Sequence, residues 1–329
     1  MSKRKLQNGL QVLIIILAIV VLVFLHHFTK KCFLNQYVFL QANKSITEVS
    51  TGSFPFYFYE GKLLIDSCDF LLDSGCSSSF VHSDSVHTSI NFKLGENINI
   101  TDFHNQQRSY PLYFTPKLKG RGSFCLKKII YAGMPYPIGK VKATLGMDVY
   151  QNANWYFSFK DNLLTILELD KTIKTNKDAI SLEYAEIRNP QVSIQVGDYR
   201  IDSVLLDMGM ADNDLSLKPS ELSRLLSSVA PFEMDSIENV GMNSTVKTIR
   251  YTFDNLSINS QKMDSICVIE GTKNAIGINF MRRFDHLFWD SKHQKVYLWN
   301  DAKSICQNTF ISSPPPHRNR SRSIKSVGK

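Results

Sequence analysis

Residues 70–80 read FLLDSGCSSSF, an apolar run that ends in an aspartate and continues into a flexible Ser-Gly pair. A carboxylate at the inner end of a buried strand is costly unless another group pairs with it. Asp73 therefore either caps an ordinary turn or forms half of a reactive site. Comparison with the rest of the chain separates these two interpretations.

The same plan occurs a second time in the C-terminal part of the chain. Residues 56–75 (FYFYEGKLLIDSCDFLLDSG) and 192–209 (VSIQVGDYRIDSVLLDMG) both read as strand, Gly turn, strand, then apolar-Leu-Asp-x-Gly. The match predicts an internal duplication, in which Asp73 and Asp207 occupy equivalent positions about a pseudo-two-fold axis.

A second motif follows each copy at nearly the same distance. ATLGMDV places Gly146 73 residues after Asp73, and NAIGINF places Gly277 70 residues after Asp207. An aspartate that only caps a turn has no reason to recur with the same partner at the same distance. The spacing therefore favours a reactive site over two unrelated turns.

Two equivalent aspartates have a definite chemistry if the halves pack about that axis. Two carboxylates within hydrogen-bonding range cannot easily both ionise, so they share one proton. The ionised partner can take a proton from a bound water, while the neutral partner hydrogen-bonds a scissile carbonyl and stabilises the developing oxyanion. This chemistry requires no metal ion and no cofactor, and we expect none.

The composition, 43% hydrophobic and 21% charged residues, is that of a globular protein, and 329 residues suffice for two domains. Short apolar runs rich in β-branched and aromatic residues, separated by Gly, Asn, Asp and Ser, predict a mostly β protein. We expect aromatic hairpins at 154–167 and 285–299, with Trp155 and Trp289 packed in the core or an interface. PSELSRLLSSV (219–229) is typical of a helix with leucines on one face.

The formal charge of +8 belongs to the two ends of the chain. Five basic residues lie within residues 1–31 and five within 318–329, which leaves 28 basic and 30 acidic residues in the body. A body near neutrality excludes nucleic-acid binding by its surface.

An unbroken apolar run, VLIIILAIVVLVFL (12–25), follows the basic segment MSKRK. No small-x-small cleavage pattern follows it, and residues 10–28 have about the length that a slightly thin bilayer needs. We expect an uncleaved single-pass anchor, with the N-terminus cytoplasmic and the rest periplasmic or extracellular. A cleaved signal peptide and a buried soluble helix are the alternatives.

The cysteines and histidines form no pattern typical of a metal site. The six cysteines contain no CxxC pair, and the histidines of the body are scattered singly. We expect the cysteines to be small buried hydrophobic residues, although an exported location would permit disulfides.

The duplicated motifs resemble those of retropepsin-like aspartic proteases, in particular the fused single-chain kind found among bacterial membrane-anchored members. The resemblance covers about residues 50–300. It rests on Leu71-Leu72-Asp73-Ser74-Gly75 with Thr144-Leu145-Gly146, and on Leu205-Leu206-Asp207-Met208-Gly209 with Ala275-Ile276-Gly277. It implies a two-lobed pepsin/retropepsin-like fold, a monomer with a peptide or protein substrate, and catalysis by Asp73 and Asp207. It also implies that the two loops are supported by Ser74, Gly75, Met208, Gly209, Gly146 and Gly277.

The resemblance also implies mobile hairpins over the substrate, for which 101–114 and 240–253 are the candidates. The predicted organisation is a basic segment and anchor (1–31), a linker (32–49), an N-terminal lobe (50–170), an inter-lobe linker (171–181), a C-terminal lobe (182–300) and a basic, disordered tail (301–329).

The second aspartate motif departs from the family pattern at Met208, where the family has Thr or Ser. That hydroxyl normally bonds to the opposite loop, so Met208→Thr is expected to raise activity. Cys76, next to the first motif, is either an oxidation-sensitive neighbour or a packed small side chain. Two other functions stay open: a non-catalytic relative that binds extended peptides, and a β-rich surface protein whose Asp-x-Gly motifs only make turns.

Overall fold

The computed structural model describes residues 14–24, 38–39, 45–47, 53–60, 63–82, 92–120, 125–135, 141–240 and 245–301. Within them the protein is mostly β, and its strands form three sheets. The strands of the N-terminal half are β1 (Val38–Phe39), β2 (Ser45–Thr47), β3 (Ser53–Glu60), β4 (Leu63–Leu72), β5 (Phe80–His82), β6 (Phe92–Thr101), β7 (Gln107–Gly120), β8 (Cys125–Met134), β9 (Val141–Leu145), β10 (Asn154–Ser158) and β11 (Leu163–Leu167).

The C-terminal half continues the same alternation of short strands. Its strands are β12 (Ile180–Glu183), β13 (Gln191–Val196), β14 (Tyr199–Asp207), β15 (Leu215–Leu217), β16 (Glu233–Val240), β17 (Thr245–Phe253), β18 (Leu256–Ile258), β19 (Gln261–Met263), β20 (Ile266–Glu270), β21 (Ala275–Gly277), β22 (His286–Asp290) and β23 (Lys295–Trp299). The described helices are α1 (14–24), α2 (Met147–Tyr150), α3 (Pro219–Ser228) and α4 (Ile278–Met281).

Two sheets, one from each half, repeat the same arrangement. In the eight-stranded sheet β9 lies between β4, to which it is parallel, and β5, to which it is antiparallel. In the nine-stranded sheet β21 lies in the same way between β14 and β15. The strands β5 and β15 then pair in parallel with β8 and β20. The predicted duplication is therefore visible in the strand order.

The third sheet joins the halves. Its order is β12-β23-β22-β10-β11-β2, and its centre is the antiparallel pair β10–β22, in which Trp155 lies opposite Trp289. Each of these strands belongs to an aromatic hairpin, β10–β11 or β22–β23, as the sequence predicts. Both tryptophans are fully buried in a hydrophobic core that draws side chains from both halves.

Several segments compare directly with the expectations from sequence. The predicted helix at 219–229 is α3, which buries Leu222 and Leu225. The segment 32–49, expected to be a linker, contributes β1 to the eight-stranded sheet and β2 to the joining sheet. The tail beyond residue 301 lies outside the described residues.

The expected anchor, residues 10–28, is described only over α1. Across the residues that the structure describes, no helix combines the length and the apolar character that crossing a membrane requires.

Candidate active site

The two aspartates of the duplicated motif meet where the halves join. Asp73 directly follows β4, and Asp207 is the last residue of β14. Each of these strands is held by the parallel strand of its own half, since Asp73 N donates to Leu145 O at 3.0 Å and Asp207 lies opposite Gly277. We call residues 73–76 the first aspartate loop and residues 207–210 the second.

Each carboxyl group packs against the glycine of the opposite loop. A Cβ atom on Gly75 would lie 2.4 Å from Asp207 Cγ, and one on Gly209 would lie 2.5 Å from Asp73 Cγ. A methyl group at either position would overlap the carboxyl group, so only glycine permits this approach. The two carboxyl groups lie within hydrogen-bonding range of each other.

The pair favours a state with a single shared proton. Burial, the charge of Asp207 and the hydrogen bond to it raise the pKa of Asp73 well above its usual range. Burial also raises the pKa of Asp207, but the hydrogen bond from Asp73, the N–H groups of Gly209 and Met210, and the charge of Lys273 act in the opposite direction. Both pKa values are raised, so one carboxyl group of the pair keeps a proton while the other is ionised.

The first loop is tied to the second by Ser74. Its hydroxyl donates to Leu206 O at 2.7 Å and accepts a hydrogen bond from Met208 N at 3.1 Å, and all three groups are buried. Met208 has no hydroxyl, so it cannot form the equivalent hydrogen bonds to the first loop. Its sulfur accepts a hydrogen bond from Tyr150 Oη instead, at 3.2 Å.

The two downstream glycines support the loops from behind. A Cβ atom on Gly146 would lie 2.6 Å from Cys76 O, and one on Gly277 would lie 2.4 Å from Asn213 O. The residues that follow complete the contact, because Met147 N and Ile278 N donate to the carbonyls of Cys76 and Met210, the last residue of each loop. The structure thus brings together all eight residues that the sequence singles out.

Behind each loop lies a buried carboxylate that the sequence analysis missed. Ser79 donates its backbone N–H and its hydroxyl to Asp148, at 2.8 and 2.7 Å, and burial raises the pKa of Asp148 to about 6. In the C-terminal half Asp214 accepts two hydrogen bonds from the Arg283 guanidinium, at 2.7 and 2.8 Å. The position of Asp148, two residues after Gly146, is the signal that was available.

A cleft of about 800 Å³ opens above the two carboxyl groups. Apolar side chains from both halves line it, together with Arg188 and Lys273. A cleft of this volume and mixed character can hold a peptide in extended form.

The hairpin β6–β7 extends across the cleft from the N-terminal half. Its turn is organised by the buried Asp102, which accepts the N–H groups of His104 and Gln106 at 2.9 and 2.8 Å. The turn contacts the C-terminal half, where the Thr272 hydroxyl donates to Phe103 O and the Phe103 ring lies against Gly271.

The hairpin β16–β17 contributes Asn239 to the cleft from the other side. The hairpins span residues 92–120 and 233–253, so the candidates 101–114 and 240–253 cover part of each. Residues 241–244 at the second turn lie outside the described residues.

Cys76 lies in the cleft beside Asp73, and its thiol donates to Ser78 O at 2.9 Å. Burial and the charge of Asp73 raise the pKa of this thiol well above its usual range, so it stays protonated and is a poor nucleophile. Within the described part of the chain, no group of three or more His, Cys, Asp or Glu side chains has the arrangement of a metal site.

Comparison with models of known protein families finds no match to this chain, and comparison with curated proteins finds none either.

Proposed function

We propose that this protein is an aspartic endopeptidase that cleaves peptide bonds with a water molecule activated by Asp73 and Asp207. The observation that carries the proposal is the reciprocal packing of each carboxyl group on the glycine of the opposite loop, which brings the two groups within hydrogen-bonding range of each other. Two aspartates that only cap turns do not need this arrangement at the floor of a cleft.

The chemistry follows from the single proton that the pair shares. The ionised carboxylate of the pair takes a proton from a water molecule, and the oxygen of that water attacks the carbonyl carbon of the substrate. The protonated carboxyl group of the pair hydrogen-bonds the carbonyl oxygen and stabilises the negative charge that develops there. When the tetrahedral intermediate collapses, the C–N bond breaks and a proton from the pair passes to the leaving amine.

A two-lobed pepsin/retropepsin-like fold is part of the same proposal. Its support is the repeated strand order of the two large sheets, the sheet that joins the halves, and the hairpin over the cleft. In this fold one chain supplies both lobes, so the monomer is sufficient for activity.

We also propose, from the sequence, where the protein is located in the cell. The apolar run at 12–25, with basic residues before it, supports a single-pass anchor that holds the protease outside the cytoplasm. The substrate is then a peptide or protein of that compartment.

The proposal is tested with the full-length protein in detergent and a peptide library, with products identified by mass spectrometry across acidic to neutral pH. We expect cleavage by the unmodified protein and none by Asp73→Asn or Asp207→Asn, with unchanged circular dichroism. The matched control is Asp198→Asn, at an exposed turn residue, which should cleave normally.

A second candidate function is the binding of extended peptides without cleavage, which the loss of the hydroxyl at Met208 favours. Binding of library peptides by the unmodified protein, without products at any pH, would support this function and contradict the proposal. Cleavage that persists in both Asp→Asn variants would contradict it as well.

A further inference from the structure

Tyr150 connects the N-terminal half to the second aspartate loop. It is the last residue of α2, its side chain is fully buried, and its hydroxyl donates to Met208 Sδ at 3.2 Å. Met208 is itself only 1% exposed. The contact is therefore a buried hydrogen bond between the halves, directly beside the residue that follows Asp207.

The position of the Tyr150 hydroxyl is rigidly defined. The ring packs against the rings of Trp155 and Trp289, at centroid distances of 4.8 and 5.3 Å. The carbonyl of Tyr150 accepts hydrogen bonds from Trp155 Nε1 and from the Ser291 hydroxyl, at 3.0 and 2.8 Å. Since both ends of the residue are fixed, the hydroxyl can hold the Met208 side chain in one place.

The pseudo-symmetry shows what this contact replaces. Ser74 and Met208 are equivalent, as are Tyr150 and Met281, which lie four residues after Gly146 and Gly277. In the first loop the hydroxyl belongs to the loop itself. For the second loop the hydroxyl belongs to the helix beneath it, and the loop supplies the sulfur acceptor.

We propose that Tyr150 is a positioning residue for the candidate active site, because its hydrogen bond to Met208 holds the second aspartate loop in place of the missing hydroxyl at position 208. The proposal rests on the proposed function. Burial and the charge of Asp73 raise the pKa of Tyr150 well above its usual range, so the hydroxyl remains a donor wherever the aspartate pair is active.

The test measures the titration of the pair directly. The full-length protein is labelled with ¹³C at the aspartate carboxyl carbons, and the signals of Asp73 and Asp207 are assigned with the two Asp→Asn variants. Tyr150→Phe should shift an apparent pKa of the pair by about 0.5–1 unit, the equivalent of one neutral hydrogen bond. The same variant should lower kcat by about threefold to tenfold with KM unchanged.

A double-mutant cycle separates this effect from general packing. Met208→Leu retains the volume but lacks the acceptor, so it should cause the same shift, and Tyr150→Phe should add nothing to it. Adding Met208→Thr to the Tyr150→Phe variant should restore the apparent pKa values of the aspartate pair. The matched control is Tyr184→Phe, which removes another buried hydroxyl, bonded to Trp289 Nε1 at 3.0 Å, and should leave the titration unchanged.

An unchanged titration in Tyr150→Phe would overturn the proposal, as would an equal further shift when it is added to Met208→Leu. If Tyr150→Phe does not fold, Met208→Leu alone decides the matter: a shift supports the role and its absence overturns it. Because the titration needs no turnover, an inactive protein with the expected shifts would contradict the proposed function but not the role of Tyr150.

Discussion

The two aspartate loops have the same backbone arrangement but are held by different side chains. In the first, Ser74 bonds across to the opposite loop and Ser79 bonds to the buried Asp148. In the second, Met208 is held by Tyr150, and Asp214, seven residues after the aspartate, pairs with Arg283. The comparison indicates that the position of the two carboxyl groups is the shared requirement, and that different interactions can satisfy it in each half.

The substitutions with the largest expected effect replace the two glycines on which the carboxyl groups pack. Gly75→Ala should displace Asp207, and Gly209→Ala should displace Asp73, because each new methyl group overlaps the carboxyl group of the other loop. We expect cleavage to fall by about 10²-fold or more in both variants, since a misplacement of this kind typically has that effect. Peptide cleavage assays measure it, and a large effect in one variant alone would contradict the reciprocal packing.

A second test uses the carboxylate behind the first loop. Because the pKa of Asp148 is raised to about 6 from 3.8, the folded protein binds this proton more tightly than the unfolded chain. Its contribution to stability is thus greatest below pH 3.8, declines as the pH rises to 6, and is constant above.

Asp148→Asn removes the titrating group. It introduces the residue type that the C-terminal half has at the equivalent position, Asn279. We expect the free energy of unfolding of the native protein, relative to the variant, to fall by about 2.4 kcal/mol between pH 4 and pH 7. Denaturant unfolding at a series of pH values measures this difference. If the free energy of unfolding depends on pH in the same way in both proteins, Asp148 does not titrate in this range.

A third test breaks the link that Ser74 makes. Ser74→Ala leaves the buried Leu206 carbonyl and Met208 N–H without this partner, so the free energy of unfolding should fall by about 2 kcal/mol. Ser227→Ala, on the exposed face of α3, is the control and should change it by less than about 0.5 kcal/mol. Equal effects of the two substitutions, measured by denaturant unfolding, would argue against a cross-loop role for Ser74.

The smallest expected effect concerns the hairpins over the cleft. The turn of β6–β7 is bonded to the other half through Thr272, an exposed residue. Thr272→Val removes this bond and should raise KM about twofold, the effect of a weak neutral hydrogen bond. Amide hydrogen exchange at residues 102–106 should become faster while residues 233–239 of β16 are unchanged. Equal exchange in the two proteins would mean that the bond does not hold the turn.

Much of the candidate site follows from local sequence pattern. The repeated apolar-Leu-Asp-x-Gly motif and its distant glycine predict that Asp73 and Asp207 are equivalent, and the structure packs each carboxyl group on the glycine of the opposite loop. The hairpins of the joining sheet and the helix α3 were also predictable, because their periodicity lies within a few neighbouring residues. Patterns of this kind identify strands, turns and the residues at their ends.

Local pattern alone is enough to predict the repeated aspartate motif, the mostly β architecture and the equivalence of Asp73 and Asp207. Three contacts could not be predicted in this way: Tyr150 meets Met208, Arg283 pairs with Asp214, and strands from the expected linker join two sheets. The physical reason is separation along the chain: Tyr150 and Met208 are 58 residues apart. No local propensity records such a contact, because it depends on how whole sheets pack.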